Sequence, residues 1–198
     1  MSKPYPSRVA IAGPAVVAAL LVGAGVVLWD GGAAPAQPSI GGAFTLAGPD
    51  GKPVTDRDFR GRYMLVYFGY TTCPDVCPTT LSEVASAMNK LGPKAARVQP
   101  VFITVDPARD TPDVVRQYTG AFTPRLEGLT GTPEQIKTVA QEYRVYYARH
   151  DTGPGPNDYS MDHSSVLYLM GPDGAFVAPL RADEDAAAMA ADIAKHVS

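Results

Sequence analysis

Six apolar residues, Tyr63-Met64-Leu65-Val66-Tyr67-Phe68, run into Gly69-Tyr70-Thr71-Thr72-Cys73-Pro74-Asp75-Val76-Cys77-Pro78, and a helical pattern of Leu81, Val84, Ala85, Met88 and Leu91 leads out. The first stretch reads as a buried strand and the last as an amphipathic helix, so the segment between them is a strand-to-helix loop. Both cysteines of the chain lie on that loop, with three residues between them. Pro78 suits the first helical position, which puts Cys77 close to the N-cap. The partial positive charge at a helix N-terminus favours thiolate over thiol, and thiolates either bind soft metals or attack disulfides. Closing so small a loop with a disulfide adds little by chain entropy, which argues against a purely structural staple.

The N-terminal region has a different character. Residues 9–28 read VAIAGPAVVAALLVGAGVVL, without a charge, behind Lys3 and Arg8. About 20 apolar residues suffice for a helix to cross a bilayer. The charge bias keeps the N-terminus in the cytoplasm and exports the chain beyond the apolar run. Ala34-Pro35-Ala36 resembles a signal-peptidase site, but a cleavable apolar core usually has only about 7–15 residues, so an uncleaved anchor is expected. With no Arg- and Ser-rich transit peptide, a bacterial inner membrane is expected, with the C-terminal domain in the periplasm. The expected organisation is a cytoplasmic N-terminus over 1–8, a transmembrane anchor over 9–29, a Gly/Ala/Pro-rich linker over 30–42 and one globular domain over 43–198. A net charge of -3 and the lack of a basic patch exclude nucleic acid as an expected partner.

Within the domain, Phe44-Thr45-Leu46 and Pro53-Val54 flank a turn at Gly48–Gly51 and suggest a hairpin. Residues 98–105 form a second apolar strand. Thr111-Pro112 opens a helix, and Thr132-Pro133-Glu134-Gln135 is a capping box opening another. A short strand over 126–129 separates those two helices, and residues 145–148 suggest one more. Residues 151–159 read as an exposed Gly/Pro loop, which enters a strand over 164–170. A turn at Gly171–Gly174 leads to an antiparallel partner over 176–180, and Asp183 is expected to cap a last helix. Strand, cysteine loop and helix, then a late hairpin and a closing helix, is the order of a thioredoxin-like α/β domain, a central mixed sheet flanked by helices.

In that fold the loop before the late strand faces the cysteine loop and carries a cis-proline in thioredoxins. Here no proline lies between Ser160 and Met170, and His163 is available instead. An imidazole there would complete a site of two sulfurs and one nitrogen, although a lone histidine is often only a surface residue. Two thiolates and an imidazole suit Cu(I), and suit less well a structural zinc, which prefers four protein ligands. Asp162 is a candidate to orient His163, or to cap a turn. Asp75 either tunes the cysteines or is an exposed turn carboxylate. Met161 offers a soft sulfur but is expected to pack, and His150 and His196 are expected to be solvated. The dense motif Asp106-Pro107-Ala108-Arg109-Asp110 reads as a strand end and turn, with Arg109 facing Asp106 or Asp110, and receives no ligand role. The residues therefore leave three readings open: a metallochaperone, a thiol-disulfide oxidoreductase, and, on Thr71 and Thr72 alone, a peroxidase.

Taken together, Phe68–Leu81, Thr104-Val105-Asp106-Pro107-Ala108-Arg109-Asp110-Thr111-Pro112 and Met161-Asp162-His163-Ser164 resemble the three motifs of the Sco/SenC family, in the family's order, from about Gly41 to the end. Thr72, where many members carry another residue, is a mild departure that touches no ligand. The resemblance implies a copper chaperone that binds the metal through Cys73, Cys77 and His163 and helps assemble the CuA centre on cytochrome c oxidase subunit II. It does so by delivering copper, by reducing the subunit's cysteines, or both; other copper chaperones or thioredoxin-like reductants are the implied further partners. An enzymatic activity is implied only as thiol-disulfide reduction by the Cys73–Cys77 pair.

Overall fold

The computed structural model describes residues 39–122 and 126–197. The expected anchor over 9–29 lies outside these residues; among the described ones, no helix is long and apolar enough to cross a membrane. The described residues form nine strands, in order β1 Thr45–Ala47, β2 Pro53–Thr55, β3 Tyr63–Gly69, β4 Val98–Thr104, β5 Glu127–Leu129, β6 Tyr147–Asp151, β7 Tyr159–His163, β8 Val166–Met170 and β9 Phe176–Arg181. Their α-helices are α1 Val76–Lys90, α2 Pro112–Thr119, α3 Pro133–Glu142 and α4 Ala186–His196.

Five strands make the central sheet in the order β5-β4-β3-β8-β9. β3 pairs parallel with β4 and antiparallel with β8, so the sheet is mixed, as the alternation of elements predicts. Every residue of β3 and of β4 is buried, which is why both read as unbroken apolar runs rather than alternating ones. This is the thioredoxin-like α/β fold. The β1–β2 hairpin and the β6–β7 ribbon are separate two-stranded sheets.

The helix starts show how far local chemistry dictates structure. Thr111 accepts from the Val114 amide and Pro112 is the first residue of α2; Thr132 and Gln135 form the reciprocal box at α3. Two expected helix starts differ. α1 starts at Val76 with Asp75 as N-cap, so Pro78 is the third helical residue and not the first, while Cys77, the second, does lie close to the cap. α4 is capped by Asp185, whose carboxylate accepts from the Ala187 and Ala188 amides, while Asp183 pairs with Arg181. Met189, Ile193 and Val197 point inward as their spacing predicts. α4 packs beside α1, and the Lys94 ammonium donates to the carbonyls of Ala194 and Val197 at its end, where the helix dipole favours a cation.

The segment before His163 also departs from expectation. Residues 147–151 and 159–163 pair antiparallel, so His163 ends a strand instead of sitting in a loop that enters one. The Gly/Pro stretch is the turn of that ribbon. The strand expected over 145–148 starts and ends later, at Tyr147 and Asp151. β6 has no buried residue, whereas Tyr159 and Met161 on β7 turn inward.

Candidate metal centre

β3 sets the first half of the site. Its last residue, Gly69, has no side chain; a Cβ there would stand 2.9 Å from the Cys77 sulfur and 3.0 Å from the Phe102 ring. That empty position is what lets the first turn of α1 pack its buried cysteine against the end of the sheet. The loop between is a tight turn, with the Cys73 amide donating to the Tyr70 carbonyl, and the Cys77 amide points at the Cys73 sulfur at 3.4 Å. Thr71 ties the loop down from the other side: its amide and its hydroxyl both donate to the Asp110 carboxylate, at 3.0 and 2.6 Å.

The ribbon sets the second half. Alternation along β7 puts Tyr159, Met161 and His163 on one face, and that face looks at the cysteine loop. His163 Nε2 lies 3.4 Å from the Cys77 sulfur, and its Nδ1 lies 3.2 Å from the Ser164 carbonyl oxygen. A carbonyl only accepts, so Nδ1 carries the proton and Nε2 presents its lone pair to the sulfurs. Burial pushes the His163 pKa below that of an ordinary histidine, against smaller opposing effects of the Ser164 carbonyl and Asp162, and so favours the neutral ring. The rings of Tyr67 and Tyr70 meet the imidazole edge-on, with centroids 5.9 and 6.0 Å away. Neither aromatic stands out in the sequence, yet Tyr67 alternates with Gly69 on β3 and so shares its face.

The three candidate ligand atoms of Cys73, Cys77 and His163 thus come together, all within 4.8 Å of one another. Both cysteines are free; Cys77 is fully buried and Cys73 is half-buried. A pocket of about 300 Å³, lined by Tyr70, Cys73, Val76, Met161 and His163, opens the group to the surface. Two sulfurs and a neutral imidazole nitrogen are a soft donor set of the kind that holds Cu(I).

The electrostatics correct one expectation. Helix position favours the thiolate, but burial pushes the Cys77 thiol up to about 12, with the neighbouring Cys73 adding to the rise. Desolvation therefore outweighs the helix N-terminus at this sulfur when no cation is present. Asp162 does not orient His163. It points outward and pairs with His150 at 2.7 Å, both side chains more than half exposed. Asp75 is exposed and makes no side-chain cap bond. Met161 packs inward, and the side chain of His196 is exposed.

A family model described as SCO1/SenC matches residues 32–198. Protein SCO1 homolog 1, mitochondrial, of Arabidopsis thaliana is 47% identical over 147 residues, 74% of this chain and 43% of that protein. Protein SenC of Rhodobacter capsulatus is 46% identical over 146 residues, 74% of this chain and 65% of that protein. The crystal structure of Arabidopsis thaliana ScoI with copper bound superposes with a TM-score of 0.74 at 44% identity, covering 79% of this chain and 97% of that one. The chain spans about half the length of the curated relatives it matches.

Proposed function

The chain belongs to the SCO1/SenC family, and from that premise we propose that it is a copper metallochaperone whose ligands are Cys73, Cys77 and His163. The observation that carries the reading is the convergence of two sulfurs and a proton-free imidazole nitrogen within 4.8 Å, in a family with a relative of known structure that holds copper. Three protein donors leave a coordination position open, which suits an ion that must be handed on rather than stored. Cys73 and His163, both half-buried, line the pocket, so an acceptor would reach them before Cys77, which is fully buried.

The recipient in this reading is subunit II of cytochrome c oxidase, whose CuA centre takes the copper. Residues 9–29 anchor the chain in the bacterial inner membrane, residues 30–42 act as a tether, and residues 43–198 work in the periplasm. Other copper chaperones supply the metal, and thioredoxin-like reductants keep the pair reduced.

A second reading rests on the asymmetry of the two sulfurs. Accessible Cys73 would attack a disulfide of subunit II, forming a mixed disulfide and releasing one thiol. Buried Cys77 would then displace the second thiol, leaving a Cys73–Cys77 disulfide and a reduced partner. Two electrons pass from the pair to the substrate.

The deciding experiment is competition for Cu(I) between the reduced protein and a chelator, anaerobically, with His163→Ala beside the unaltered chain. Weaker binding by the variant is expected. Equal affinity would sink the three-ligand reading, and rapid reduction of oxidised subunit II by the metal-free protein would then favour the second.

A further inference from the structure

The turn between β4 and α2 contributes no ligand, yet it touches both halves of the site. On one side, Asp110 is fully buried and takes the Thr71 amide and hydroxyl of the cysteine loop, together with the Thr104 hydroxyl at the end of β4. On the other side, the Arg109 guanidinium donates from Nε to Asp106 and from Nη1 to the carbonyls of Tyr159, the first residue of β7, and of Asn157 in the turn before it, at 3.0 and 3.3 Å. It also lies 3.5 Å from the centre of the Tyr159 ring, while the Tyr159 hydroxyl donates to the other oxygen of Asp106 at 2.8 Å. Asp106, Arg109 and Tyr159 thus close a loop of contacts between the turn and the ribbon. Asp106 is almost fully buried, and the Arg109 side chain is only 14% exposed. A planar fork that binds a carboxylate, two carbonyls and a ring face at once holds its partners to one orientation.

Among the described residues the ribbon has no strand pairing with the central sheet, so its placement rests on side-chain contacts, the burial of Tyr159 and Met161 and this clamp. β7 runs only from Tyr159 to His163, and the clamp grips its first residue while the imidazole occupies its last. We propose that Arg109 is a positioning residue for the metal site: with Asp106 and Tyr159 it fixes the β6–β7 ribbon so that His163 Nε2 faces the two sulfurs. This rests on the reading of His163 as a copper ligand, but its geometric part can be measured without metal.

The test uses the full-length reduced protein and the variants Arg109→Gln, His163→Ala and the double variant. The first readout is NMR of the His163 ring protons in the metal-free protein, which the Tyr67 and Tyr70 rings shift by their ring currents. In Arg109→Gln these protons are expected to move toward free-imidazole values while the amides of Tyr67 and Cys77 stay in place. The second readout is Cu(I) affinity by chelator competition. Arg109→Gln is expected to lose about 10–100-fold, as for other outer partners of a metal ligand, and the double variant to bind no worse than His163→Ala. Unchanged His163 shifts, or losses that add in the double variant, would overturn the proposal, since a merely structural role lowers stability without acting through the imidazole. If His163→Ala alone leaves Cu(I) affinity intact, the copper reading fails and the ring shifts alone decide the clamp. Should Arg109→Gln not fold, Tyr159→Phe and Arg109→Lys give the same two readouts, the first removing only the hydroxyl bond to Asp106 and the second keeping the charge without the fork.

Discussion

The two halves of the candidate centre are built to different standards. The cysteine loop hangs between a fully buried central strand and a helix that packs on the sheet. The histidine ends a two-stranded ribbon whose strands, among the described residues, pair only with each other, and whose outer strand is half or fully exposed. Burial of a whole strand and a helix face holds the first half; the second buries only Tyr159 and Met161 and adds a few polar and aromatic contacts. The place of the cysteines follows from the sheet and helix themselves, whereas the place of the imidazole depends on side-chain contacts that single substitutions can remove.

The sharpest way to break this comparison is to damage the core behind the cysteines. Phe68 is completely buried and packs against the rings of Tyr143 and Tyr168. Phe68→Ala is expected to cost about 3–5 kcal/mol of unfolding free energy, read from urea denaturation. A loss below about 1 kcal/mol would show that the cysteine half is not held by the core.

A smaller, pH-dependent effect is expected at Asp110. Burial raises its pKa, more than its hydrogen bonds from Thr104 and Thr71 lower it. The folded state therefore holds this proton more tightly than the unfolded chain. Its stabilising contribution is complete below the ordinary carboxylate value of about 3.9 and is lost as pH rises through the raised folded value. Asp110→Asn cannot titrate, so the stability of the unaltered protein minus that of the variant should fall across that interval and level off above it. A difference that grows with pH in urea titrations would contradict the assigned direction.

The smallest effect belongs to the outer face of the ribbon. His150 and Asp162 form an exposed pair, and such pairs contribute at most about 1 kcal/mol. Asp162→Ala should change stability within that limit and leave Cu(I) affinity as it is. A marked loss of affinity would mean that the ribbon's outer charges do help to place His163, and the clamp at Arg109 would no longer suffice as the account of its position.

Much of this architecture is legible in the chain because its causes are local. Thr111-Pro112 and the Thr132–Gln135 box mark helix starts by their own chemistry, and the unbroken apolar runs of β3 and β4 mark strands covered on both faces. Asp183 and Asp185 are equally good caps by composition; only the backbone path puts the second carboxylate over the amides of α4. The β6–β7 ribbon is only half legible, because Arg149, His150 and Asp151 hide how far the strand expected over 145–148 continues, although Tyr159, Met161 and His163 do alternate along β7. Asp162 meets His150 rather than His163 for a related reason. Adjacent residues on a strand point to opposite faces, so the neighbour of His163 in sequence is not its neighbour in space.

By itself, the sequence determined that two cysteines sit where a buried strand meets a helix, and that a histidine stands near the strand that such a fold brings opposite them. Those are consequences of periodicity and spacing, and short-range chemistry suffices to produce them. Tertiary structure alone decided what surrounds the donors. It is packing that empties the space over Gly69 for the Cys77 sulfur and buries that thiol enough to override the helix N-terminus. It is packing, too, that brings His163 Nε2 to the Cys77 sulfur, 86 residues away, and Arg109 to Tyr159, 50 residues along the chain. Desolvation and long-range contacts depend on which surfaces meet, and that is settled only when the sheet, the helices and the ribbon have come together.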